Sequence, residues 1–279
     1  MPDSVDIARG GRNARGLDSW RAYGRNQSVG TDTDPETVWD YSGAALWVPP
    51  TQARVHNVAS SSANDDGTPY ATGSGAHYVW VDGISANGDR VRERVALNGT
   101  ASVATKFEYT MINDLTSHRE YGSSLAQNAG EIAATAVTDN TITRSIAADM
   151  GSGLAAVFQV PRDHTCWITR VFGSMGWANA TGGADLSLYV MAHRSYVWHL
   201  VYSESLSGGG ASASGATPET LWEAGQLSYI KLDVTASADN TQVFAGFDMT
   251  LRLDVGMKTY SVAEIGQNHR QFTQEIISK

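Results

Sequence analysis

From Ala53 onward the chain is built of short runs in which every second side chain is apolar, and this period constrains the fold more than any other feature. Alternation puts one face of an extended strand in a core and the other outside it. The runs "ARVHNVAS", "AHYVWVDG", "DRVRERVALNG" and "KFEYTMIND" all show it. Asn87-Gly88 follows the second run and Asn98-Gly99 ends the third. Asn-Gly adopts the positive φ angles of a tight turn at low cost, so both pairs predict turns between strands. In the third run Val91, Glu93 and Val95 share one face and Arg90, Arg92 and Arg94 the other, which requires a polar environment on one side.

Beyond Asp114, "LTSHREYGSSLAQNAGEIAATAV" has no amphipathic helical stripe, and Gly122 and Gly130 interrupt it, so it reads as a loop leading into a strand near Glu131 to Val137. The stretch "ADMGSG" after Ala148 reads as a hinge. Six further runs follow: "AAVFQVP", "TCWITRVFGSM", "ADLSLYVMAHR", "YVWHLVYSESL", "LSYIKLDV" and "TQVFAGFDMTLRLDV". Between the last four, "SGGGASASGATPE" reads as a flexible loop. The expected fold is all-β, with two β-sandwich or jelly-roll-like domains at 51–148 and 149–257 and a C-terminal tail at 258–279.

Residues 1–50 lack either apolar period and end at Pro49 and Pro50, the pattern of an extended N-terminal arm. Trp20, Tyr23, Trp39, Tyr41 and Trp47 are unusual in such an arm, because isolated aromatic surface gains most when buried. They are candidate docking residues, either on a neighbouring subunit or back on the parent chain. A net charge of −9 disfavours a phosphate-backbone partner. Arg9, Arg12, Arg15, Arg21 and Arg25 are diluted by Asp3, Asp6 and Asp18, so nucleic acid is not the expected ligand. No stretch approaches the ~20 apolar residues of a membrane span, and the start of the chain has no apolar core of signal-peptide length.

Reactive chemistry has no local signature. The sequence contains no H-E-x-x-H, G-x-S-x-G, Walker-type or G-x-G-x-x-G motif in a helical context. The seven histidines are not paired at chelating spacing, although His193 and His199 flank a turn and could approach across it. Asp32, Asp34, Glu36 and Asp40, and separately Asp65-Asp66, do not match a calcium loop and read as turn residues. Cys166, the single cysteine, lies among apolar neighbours and reads as a buried core residue. No catalytic, cofactor-binding or metal-ligating residue is nominated, and the expectation is a protein that is not an enzyme. Tyr196, Trp198 and Tyr202 form a candidate aromatic face, suited to a core, a subunit interface or a platform for sugar rings.

Thr51 to Asp114, "TQARVHNVASSSANDDGTPYATGSGAHYVWVDGISANGDRVRERVALNGTASVATKFEYTMIND", joins an opening strand, a Ser/Asn/Asp-rich loop and a hairpin. With "VFQVPRDHTCWITRVFGSM" and "ADNTQVFAGFDMTLRLD", it resembles structural proteins of marine-type tailed bacteriophages. The resemblance implies a virion protein, assembled in a host cytoplasm, that acts as a capsid decoration or cement protein or as a neck or tail component. Its implied partners are other copies of itself, a trimer among the candidates, and other virion proteins, with no membrane partner. Two rivals stand beside it: a carbohydrate- or receptor-binding β-module using the aromatic face, and a glycan hydrolase with dispersed carboxylates.

Overall fold

The computed structural model describes residues 16–31, 34–41, 46–67, 73–120, 127–176, 182–207, 212–216 (backbone only) and 221–254. The basic residues before Arg21, Asp32, most of the Gly/Ser-rich stretch and the tail at 258–279 lie outside them. The described residues form sixteen strands and no helix: β1 (Leu17–Val29), β2 (Glu36–Thr37), β3 (Arg54–Ser60), β4 (Tyr78–Ser85), β5 (Arg90–Ala96), β6 (Val103–His118), β7 (Ile132–Ala136), β8 (Ile142–Ile146), β9 (Val157–Gln159), β10 (His164–Gly176), β11 (Ala184–Met191), β12 (His199–Leu206), β13 (Ser212–Ala216), β14 (Trp222–Ala224), β15 (Tyr229–Ala236) and β16 (Thr241–Leu253). The all-β expectation is borne out, in three antiparallel sheets.

Two sheets face each other as a sandwich. One has the order β1-β16-β10-β13, with β14 also on β10; the other has the order β12-β11-β15-β2, with β9 also on β15. Alternate residues of both enter one core, including Ile168, Val171, Phe247 and Met249 from the first and Leu186, Leu188, Ile230, Leu232 and Val234 from the second. This alternation is the sequence signal converted into packing. The third sheet, β5-β4-β6-β3-β7-β8, curls into a half-barrel around its own core of Val79, Val81, Tyr109, Ile112, Leu115, Ile132 and Ile146.

Strand β6 makes the curl possible, because its second half pairs with β4 and its first half with β3. Where it bends, the buried Glu93 carboxylate on β5 accepts hydrogen bonds from the Lys106 and Phe107 amides and from the Tyr109 hydroxyl, at 2.9, 3.2 and 2.8 Å. Burial and this bond push the Tyr109 phenol well above its ordinary pKa. The Asn87-Gly88 turn joins β4 to β5 as expected, with Gly88 at φ 84°. Asn98-Gly99 also turns, but it links β5 to β6, which lie on opposite sides of β4.

Residues 1–50 do not form an arm where they are described. Strand β1 pairs along β16 from Leu17↔Arg252 to Val29↔Thr241, and β2 pairs with β15, so the stretch folds back on its own chain. Its inward residues include Ala22, Gly24 and Asn26, which are too small or polar to give an apolar alternation. A Cβ on Gly24 would lie 1.9 Å from the Val38 carbonyl oxygen, so only glycine permits this approach of two backbones. The half-barrel is therefore an insertion between β2 and β9 of the sandwich, and the sandwich begins before it and resumes after it.

The expected hinge after Ala148 is instead fastened at many points. Asn128 accepts from the Gly151 amide and donates to the Ala147 and Gly130 carbonyls, and the Ser117 and Gly153 amides bond to Gly151 and Leu115 carbonyls. Arg144 is buried, donates to the carbonyls of Gly153 and Ala155, and is lowered by desolvation to about 10. The five-residue β13 lies inside the Gly/Ser-rich stretch read as a loop, because backbone pairing with β10 needs no large side chain.

Candidate interaction surface

The aromatic residues nominated for docking divide between the two units and their joint. Trp39 and Trp47 are buried with Met111, Ala155 and Val157 in a third cluster, against which Tyr41, Ile142, Trp198 and Tyr229 pack. The Trp47 indole donates 3.1 Å to the Thr143 carbonyl of β8. Trp20 packs on Phe158 at 5.6 Å between centroids and Tyr23 on Phe172 at 6.1 Å. All five thus find partners within the chain. The joint also carries a reciprocal pair, in which the Asn113 side-chain amide donates 3.0 Å to the Gln159 carbonyl and accepts from the Gln159 amide at 2.8 Å.

The second nominated set does not form one face. Tyr202 leans on Trp222 at 4.9 Å and donates its hydroxyl to Glu204, and burial together with that bond raises it to about 12. Trp198 folds over the outer side of the second sandwich sheet, where the Lys231 ammonium lies 4.8 Å from its ring. That ammonium pairs with Asp233 at 2.5 Å, and Asp233 accepts from the Thr37 hydroxyl. Tyr196 is the odd member, 86% exposed.

Its exposure has a local cause. The segment after β11 turns through Arg194 at φ 65° and Tyr196 at φ 54°, closed by a 2.9 Å bond from the Ser195 amide to the Ala192 carbonyl. Trp198 then anchors the returning chain on Lys231, and the positive φ two residues earlier turns Tyr196 outward. A bulky residue in the left-handed region costs about 1 kcal/mol or more, held here by the Trp198 anchor. Val197 and Leu200 flank it at 54% and 55% exposure. Three large apolar side chains thus stand on one knuckle at the start of β12.

Among the described residues strand β12 is also an edge, paired with β11 through a register shift where Leu188 faces Tyr202 and Tyr189 faces Leu200. The contrast with β5, the edge of the half-barrel, is chemical. On β5 the exposed Arg90, Arg92 and Arg94 lie over Trp20, Trp80 and Tyr78 at 4.2, 4.6 and 3.9 Å, and Arg90 also pairs with Asp82 and Arg94 with Glu120. Such a charged ladder discourages a foreign strand. Strand β12 has no Lys, Arg or Pro in its eight residues.

Several of the carboxylates read from sequence as turn residues have partners within the chain. Asp40 receives Arg25 and Gln27, and Glu36 receives Asn26 and the Gly30 amide. Asp65, read from sequence as a turn residue, is fully buried and accepts four hydrogen bonds, from the amides of Ala76, Ala129 and Gly130 and from the Ser60 hydroxyl. A serine- and glycine-rich loop around one aspartate was the available signal, but its donors come from as far as 65 residues away. Cys166 is buried in the sandwich core, and desolvation raises its thiol far above the ordinary range. Among the described residues no group of three or more His, Cys, Asp and Glu could hold a metal ion.

No family model and no curated protein sequence matches this chain. Weak likenesses to solved structures include two from one virus. One is the infectious bursal disease virus VP2 subviral particle, at TM-score 0.22 and 11% identity, covering 87% of this chain and 73% of that one. The other is infectious bursal disease virus Gx strain, at TM-score 0.22 and 10% identity, covering 86% and 72%.

Proposed function

We propose that this chain is a structural subunit of a virus particle, that of a tailed phage by the sequence resemblance, serving as a capsid decoration or cement protein or a neck or tail component. It acts by burying surface on neighbouring subunits and performs no turnover. The observation that carries the reading is the apolar knuckle of Tyr196, Val197 and Leu200. Its backbone is held in a costly conformation that presents an aromatic ring to solvent, which benefits a protein only if something else covers the ring.

The test is incorporation into particles. Chain expressed with the other particle proteins should copurify with them at a stoichiometry set by a symmetric site. Tyr196→Gly should keep the monomer's stability or raise it by up to about 1 kcal/mol, since glycine accepts the positive φ freely. It should nonetheless reduce incorporation. A wild-type chain that never associates with particles would overturn the proposal.

A further inference from the structure

We infer that the seam between β3 and the first half of β6 is an acid-operated latch: a proton taken up by His56 parts this seam, freeing Val103 to Phe107 while the rest of the half-barrel stays paired. The inference does not depend on the assembly reading. His56 is fully buried on the core side of β3 and lies at a break in the ladder, where the pairing with β6 shifts register between Val55 and Asn57. Its amide donates 2.9 Å to the Thr105 hydroxyl, which donates 2.9 Å to the Phe107 carbonyl. The Lys106 and Phe107 amides turn to the Glu93 carboxylate. Thr105, Lys106 and Phe107 thus have no register partner on β3 and are held through side chains. On its other side β3 pairs with β7 without interruption, from His56↔Ala136 to Ser60↔Ile132. The seam toward β6 is the weaker of the two.

The closed seam has no place for a second proton on the ring. Nδ1 donates 2.9 Å to the Arg54 carbonyl, and the buried Nε2 has no partner. On its own strand His56 has the cation Arg54. From β6 it meets the Tyr109 ring edge-on at 5.9 Å, whose hydroxyl is bonded to Glu93 of β5. Lys106 and Glu108 of β6 are exposed. From the turn between β7 and β8 comes Asp139, whose carboxylate already accepts the Thr51 amide and hydroxyl at 3.1 Å each. Asp139 favours a charged ring, but desolvation outweighs it and holds the closed state neutral down to about pH 4. Once the seam parts, the ring meets water and takes a proton at the ordinary histidine value, so opening becomes easier as pH falls from 6.5 to 4.

Hydrogen exchange on the full chain, corrected for the pH dependence of intrinsic exchange, tests this. Between about pH 7 and about pH 5 the opening constant over Val103 to Phe107 should rise about twentyfold, with β7, β8 and the sandwich strands unchanged. His56→Gln should abolish the rise. Should that variant fold poorly, the wild-type ring decides: its NMR resonance should titrate well below the ordinary histidine range for as long as the seam is closed. The inference is overturned by an absent rise, by one spread evenly over the half-barrel, by a ring that titrates near its ordinary value with the seam still protected, or by a rise that persists in His56→Gln, which would assign the opening to Glu93.

Discussion

At the scale of single residues, the groups that hold this fold most firmly are polar ones. Asp65 gathers four donors from three segments of the half-barrel, and three of the four bonds are buried. Replacing it with alanine leaves those donors without partners, and Asp65→Ala should lower stability by about 3–5 kcal/mol in urea titration. A loss under about 1 kcal/mol would mean that water replaces the carboxylate. His56 has the opposite character: it is buried, its Nδ1 bonds to the Arg54 carbonyl at 2.9 Å, and its Nε2 has no partner. Desolvation lowers its pKa to about 4 from 6.5. Between those values an unfolded chain takes up a proton that the folded chain refuses, so stability falls as pH drops from 6.5 to 4, by up to about 3 kcal/mol. His56→Gln should flatten that part of the profile. An unchanged slope would assign the acid sensitivity elsewhere.

Elements are legible in proportion to how far each depends on its own side chains. Strands β3 to β7, β9 to β12, β15 and β16 carry the alternation themselves and are readable from it. β1, β2, β8, β13 and β14 are not, since they are short, or inward-facing through small residues such as Ala22 and Gly24, and exist because a partner strand supplies the other half of the pairing. The candidate surface is half legible. Tyr196 stands out in the sequence, but that Trp198 turns inward and throws Tyr196 outward depends on Lys231, a residue of another strand. Strand β5 offers a test of edge protection. Arg92→Ala alone removes one cation–aromatic contact and should cost about 0.5–1 kcal/mol. Replacing Arg90, Arg92 and Arg94 together should leave a bare edge, seen as a rise in light scattering on mild heating well below the melting transition. A triple variant that stays clear would show that the edge is protected by other means.

Over the whole molecule, the described residues form three apolar clusters, whose boundaries follow pairing and not position along the chain. The half-barrel ends at β8 and the sandwich resumes at β9, while β1 and β2, from the first 50 residues, belong with the strands from β9 to β16. Such an interleaving leaves no local mark, because β1 recognises a partner far away: Arg21 meets the Asp248 carboxylate 227 residues on, at 2.6 Å. The third cluster, around Trp39 and Trp47, then joins the units with aromatic side chains that the sequence offers for docking on a neighbour or back on the parent chain.

That pairing of β1 with β16 also sets a schedule. At ~5–20 residues per second, a ribosome takes roughly 10 to 50 seconds to deliver β16 after β1 has emerged. The half-barrel, complete at β8, is in hand long before. The sandwich must wait with an unpaired strand, and the molecule should fold from its middle outward. Pulse-labelled hydrogen exchange during refolding should find the amides of β3 to β8 protected before those of β1 and β16, and simultaneous protection would refute the order. The interval before β16 arrives is the period when another chain's strand could take its place on β1.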